Sequence, residues 1–164
     1  VIARCQSSVA SSSIDVIVHG LASGWDSQEG YSVCRAYGVT SGASGGTLVS
    51  PGTTANTKTA YVALGSTTTE PISAVIVAVG TRGSTTVSTG QAARVLFDIA
   101  HTQTSTVGVL ENVMTTSNTG SDLYSPAVFG PVPVQIPASQ QIYARAQANV
   151  GSPLPLDFIV YGFS

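Results

Sequence analysis

Charge is what this 164-residue chain has least of: charged side chains make up 9 %, against about 25 % in an average soluble domain. Lysine is almost missing, Lys58 standing alone beside Arg4, Arg35, Arg82, Arg94 and Arg145. With a net charge of −2 there is no basic stripe. No nucleic-acid partner is expected, because displacing phosphate counterions takes clustered cations. Long apolar runs are missing too. The longest, Ala74–Val79 (AVIVAV), is strand-sized, far short of the about 18 residues of a membrane span, so no membrane partner is expected. No basic region followed by an apolar core opens the sequence, and no signal peptide is read in it. Two cysteines, Cys5 and Cys34, are too few for a disulfide scaffold. Two small buried thiols are expected rather than a bridge. No heptad or sustained helical period runs anywhere.

Serine and threonine fill the gap, making up a quarter of the residues. Solubility then rests on hydroxyls and amides rather than on charge. Such a surface suits an extracellular or virion protein that packs against copies of itself. The length allows one good core with a little left over.

The apolar pattern has a period of two. In Gln141–Ala148 it places Ile142, Ala144, Ala146 and Ala148 on one side, with Tyr143, Arg145 and Gln147 on the other, as in a strand with one dry face. Leu156–Phe163 (LDFIVYGF) is nearly continuous in large β-formers, which predicts a strand buried on both faces. A loop with Gly151, Pro153 and Pro155 joins the two, and they read as a closing hairpin. The same stretch recurs at the start of the chain. In IARCQSSVASSSIDVIVHG (2–20), Arg4, Gln6 and Val9 match Arg145, Gln147 and Val150. After a one-residue slip, Asp15, Val18 and Gly20 match Asp157, Val160 and Gly162. The offset spans most of the chain, too long for a solenoid period of about 20–50 residues. Residues 1–20 are therefore read as the last two strands of a preceding tandem copy, and 21–164 as one complete domain.

Taken in order, Gly20–Gly30 reads as a linker, with Trp25 as a packing anchor at the junction rather than a ligand platform. Strands are expected at Tyr31–Val39, Thr47–Ser50, Lys58–Gly65, Ile72–Gly80 and Ala92–Ala100. Ile72–Val79 is apolar on both faces and hence central. Val107–Met114 leans to strand over helical turn. Ala127–Ile136 carries Pro131 and Pro133, and so belongs at a sheet edge, since proline cannot donate to a central ladder. Many short strands at about 8–12-residue spacing predict an all-β, antiparallel β-sandwich of jelly-roll type. The SGASGG cluster at 41–46 has neither the lysine nor the helix of a phosphate loop, and reads as a surface loop.

Chemistry-bearing residues are sparse. The histidines are His19 and His101, and the acids are Asp15, Asp26, Glu29, Glu70, Asp98, Glu111, Asp122 and Asp157. Asp98 and His101 are three apart, which places them on opposite faces of a strand. No carboxylate is marked by its neighbours as half of an acid pair. No catalytic, cofactor-binding or metal-binding residue is assigned, and neither Asp98 nor His101 is given a role. The recurrence of Arg145 with Asp157 predicts a cross-strand ion pair within the hairpin.

RVLFDIA (94–100), PVPVQIPASQQIYARAQ (131–147) and LDFIVYGF (156–163) together resemble a family of small tailed-bacteriophage virion proteins. In that family a strand ending in D-I-small leads to P-x-P-V-x-I-P-A and A-R-x-Q, then to a closing strand ending in Y-G-F. Ser139-Gln140 departs from the family's usual glycine there. The resemblance implies a non-enzymatic, jelly-roll-like virion component, either a capsid decoration (cement) protein or a fibre domain. Its partners would be the major capsid protein or other virion proteins and copies of itself, a trimer by analogy, and its place the virion. The alternative is a carbohydrate- or receptor-binding β-sandwich of a phage fibre or spike. That reading needs a row of exposed aromatics, for which Trp25, Tyr31, Tyr37, Tyr61, Tyr124 and Phe129 are the candidates.

Overall fold

The computed structural model describes residues 33–40, 45–81, 93–102, 107–117, 127–151, 153 and 155–164. The terminal repeat 1–20, the linker and Trp25 lie outside the described residues. Among the described residues nine strands run in chain order: β1 (Cys34–Tyr37), β2 (Thr47–Val49), β3 (Val62–Ala63), β4 (Ile72–Thr81), β5 (Ala93–His101), β6 (Val107–Ser117), β7 (Ala127–Ile136), β8 (Ile142–Ala148) and β9 (Leu156–Phe163). They form two antiparallel sheets, ordered β1-β9-β4-β7 and β3-β8-β5-β6, with β2 continuing the β1 edge along β9. The sheets pack face to face as a β-sandwich.

The pairing is nested. β5 pairs with β6, β4 with β7, β3 with β8 and β2 with β9. Eight strands thus make one long hairpin that has been folded over, so its halves alternate between the sheets. The predicted closing hairpin does not exist as a pair. β8 and β9 follow each other in sequence but belong to opposite sheets. The loop between them crosses the sandwich instead of reversing within one ladder.

Alternation builds the core. Val75, Val77 and Val79 of β4 and Leu156, Phe158 and Val160 of β9 point inward from one sheet. Val95, Phe97 and Ile99 of β5 meet them from the other, with the Ile142 and alanine row of β8. The Phe97 ring bridges the layers edge-on, its centroid 5.1 Å from Phe158 and 5.3 Å from Phe129. Small alanines on β8 face those rings, so large and small side chains alternate across the core.

β4 is central and the proline-bearing β7 is an edge, as the sequence predicts. Two expectations are corrected. β9 is buried on one face only: Leu156, Phe158, Val160 and Gly162 are buried, whereas Asp157, Ile159, Tyr161 and Phe163 are half-buried. Lys58–Gly65 is not a full strand. It tracks β8 through spaced bonds, Asn56 N to Ala148 O (2.7 Å), Thr59 N to Ala146 O (3.1 Å) and Leu64 N to Ile142 O (2.8 Å), with a ladder only at Val62–Ala63. The β2 edge depends on Gly46, where a Cβ would lie 2.6 Å from the Phe158 carbonyl oxygen. Only a residue without a side chain lets the two backbones approach so closely.

Candidate functional site

The two outer faces of the sandwich differ in chemistry. On the β1-β9-β4-β7 sheet, register aligns outward side chains in rows. Val128, Ala78 and Ile159 form one row, and Ile76, Tyr161 and Ala36 the next. Pro133, Phe163 and Cys34 form the third, with the fully buried Ala74 between Pro133 and Phe163. Asp157, beside Leu48 and Gly80, is the one charged side chain that this register adds. Val128 and Leu48 stand at opposite margins and are exposed by 62 % and 43 %. Beyond the Ala74–Phe163 row an open cleft of about 650 Å³ continues the surface, lined by Pro71, Ile72, Ser73, Gln135, Ile136, Pro137 and Ser164. Cys34, expected as a buried thiol, is exposed here at the sheet edge. Cys5 lies outside the described residues.

The outer face of the other sheet carries charge. Asp98 and Arg145 are direct cross-strand partners on β5 and β8. The Asp98 carboxylate is 1 % exposed and accepts from three donors: Arg145 Nε at 2.7 Å, the Asn112 backbone N–H at 2.8 Å, and Lys58 Nζ. Lys58 also donates to Asn112 Oδ1 at 2.7 Å. The Arg145 guanidinium lies 4.3 Å from the Tyr61 ring centroid, a cation–π contact. A bulge makes this possible. Between Phe97↔Val113 and Ile99↔Leu110, two β6 residues oppose the single Asp98, and Asn112 takes a φ of 55°. Its N–H, left over from the ladder, is satisfied by the carboxylate.

Arg145 therefore pairs with Asp98. The expected partner, Asp157, is in the opposite sheet. Burial alone would raise the Asp98 carboxyl, but the Asn112 N–H, Lys58 and Arg145 outweigh it and hold it below the ordinary carboxylate range. An unfolded chain then takes up the proton more readily than the folded one. The stability this group contributes is complete above its unfolded value, about pH 3.9, and is lost as pH falls through the lower folded value. Chemical denaturation followed from pH 6 to pH 2 is expected to show a loss below about pH 4 in the native protein. In Asp98→Asn, that part of the loss is expected to disappear.

Other singled-out residues disperse. His101 faces inward with Ile99, away from Asp98, and is buried with Nδ1 unpartnered. Glu70 binds Arg35 at 2.6 Å and is held below its usual range chiefly by that bond. Glu111 is exposed on β6. His19, Asp15, Asp26, Glu29 and Asp122 lie outside the described residues. Among the described residues no three His, Cys, Asp or Glu side chains form a group able to hold a metal. The described aromatic candidates make no row: Tyr37 is in the core, Phe129 packs on Phe97 and Tyr61 sits under Arg145. Trp25, Tyr31 and Tyr124 lie outside the described residues.

No protein-family model matches the chain, and no curated protein or solved structure is similar enough to it to count as a match.

Proposed function

We propose that this chain is a non-enzymatic structural component of a bacteriophage virion, a decoration or fibre-type domain that works by protein–protein contact. The observation that carries the reading is the outer face of the β1-β9-β4-β7 sheet, with its three apolar rows and Asp157 at one end. Interface cores are depleted in charge in just this way, and a large apolar face on a soluble sandwich marks a contact surface. A chain with 9 % charged residues gains little from electrostatic steering and depends on such burial. The nested strand order supports the jelly-roll type, an architecture used by viral capsid and lectin domains, although fold alone does not assign a role.

The occupant we propose for this face is another copy of the chain, or the capsid protein beneath it. Both sheet edges on the β6–β7 side discourage association by strand addition, since β6 carries bulges and β7 two prolines. Tyr161→Glu is the test. Its side chain is half-buried and outward, so melting temperature is expected to hold within a few degrees. Self-association by sedimentation, and retention on purified particles, are expected to weaken by about tenfold or more. A native protein that is monomeric at micromolar concentration and fails to bind particles overturns the proposal. Specific retention by immobilised glycans would favour the carbohydrate-binding alternative.

A further inference from the structure

The one lysine of the chain is placed with unusual economy. Five of the six basic residues are arginine, and the sixth, Lys58, has its Nζ on the buried Asp98 carboxylate and on the Asn112 side-chain oxygen. An ion pair with a buried carboxylate is better made by the planar guanidinium, which Arg145 already supplies to the other carboxylate oxygen. What a primary amine adds is the ability to lose a proton and become a nucleophile. A buried charge cluster is by itself weak evidence for added stability. Here it brings an amine, a carboxamide and a proton acceptor together.

We propose that Lys58 and Asn112 join through an intramolecular isopeptide bond, with Asp98 as the proton carrier. The amine lies 2.7 Å from Asn112 Oδ1. For an ordinary hydrogen-bond angle this puts the carboxamide carbon about 3.5 Å from Nζ, at the near-attack separation. Asn112 is held in place by its own backbone N–H, which donates to the same Asp98 oxygen that accepts from Lys58. In the reaction the Lys58 ammonium passes a proton to Asp98, and the Nζ lone pair attacks Asn112 Cγ. The Nζ–Cγ bond forms and the Cγ–Nδ2 bond breaks. Nδ2 takes a second proton from Nζ and the one held by Asp98, and leaves as ammonium. Nothing is oxidised or reduced, and the total proton count is unchanged. Arg145 and the Asn112 N–H keep the carboxylate charged and so a weak base. The step is therefore slow, happens once per molecule, and goes to completion because ammonia escapes from the exposed Asn112.

The bond would join the segment entering β3 to β6. These are the two outer strands of the β3-β8-β5-β6 sheet, so one covalent link would span the whole layer. The inference does not depend on the virion reading.

Intact-mass spectrometry of the purified, folded full chain tests it. The expected mass is lower than that of the sequence by one ammonia. Proteolysis is expected to release a branched peptide that contains both Lys58 and Asn112. Lys58→Arg and Asn112→Ala are both expected to show the full sequence mass. The full mass in folded native protein after prolonged incubation at neutral pH overturns the proposal. So does an ammonia loss that persists in Lys58→Arg, which would place the event at another amide.

Discussion

Phe158→Ala is expected to destabilise the sandwich by about 3–5 kcal/mol, a large part of the about 5–15 kcal/mol that holds a typical domain together. Phe158 is fully buried, and its ring meets Phe97 at 5.1 Å. Phe97 in turn meets Phe129 at 5.3 Å. Truncation therefore empties the meeting point of the two sheets, and the flanking backbone ladders to β4 and β2 cannot collapse into the void. Phe163→Ala is the matched control. It removes the same group from the same strand on the opposite, half-buried face, and its cost is expected to be less than half as large. Equilibrium urea denaturation of both variants measures the difference. Equal costs would mean that β9 is buried on both faces after all.

Asp98→Ala is the second large effect, expected at about 3 kcal/mol. Removing the carboxylate strands three donors at once: Lys58, Arg145 and the Asn112 N–H. The Lys58 and Arg145 side chains are 19 % and 31 % exposed, so water recovers part of their loss. This keeps the cost toward the lower end of the about 3–5 kcal/mol seen when one member of a buried pair is deleted. The N–H has no such escape, because it belongs to a bulge whose ladder partner is already displaced. Substituting Lys58, Asp98 and Arg145 together by apolar residues of similar volume is expected to recover most of the loss, since full replacement leaves no uncompensated charge. If the single variant melts like the native protein, the cluster contributes nothing to folding.

These two residues also show what sequence makes legible. The inward row of β8 follows from period two alone, and the edge position of β7 follows from two prolines. Those are local rules, and they hold. The face-specific burial of β9 is not local. Asp157 and Tyr161 interrupt its apolar run only weakly, and what covers the outer side depends on which strands flank it. The pairing of β8 with β9 failed for the same reason. A loop with Gly151, Pro153 and Pro155 fits a hairpin and a crossing between layers equally well. Asp98 carried no signal in its neighbours because its partners, Lys58 and Arg145, stand 40 and 47 residues away. The one available clue was compositional: a chain with a single lysine has reason to place it with care.

The nested pairing has a consequence for the order of assembly. The innermost pair, β5 with β6, joins neighbours in sequence, while each outer pair must close a longer loop, ending with β2 on β9. Loop closure grows costlier outward, and chains dominated by such distant contacts fold in milliseconds to seconds rather than microseconds. β9 lies between β1 and β4 yet is the last of the described strands to leave the ribosome. Until it arrives, β4 has only β7 beside it, and the backbone N–H and C=O groups of its other edge have no ladder partner. During synthesis the nascent chain therefore carries an open sheet edge at its centre, the condition under which β-rich chains pair with their neighbours on a polysome. Insertion of β9 closes that edge, pairing β4 on one side and β1 on the other.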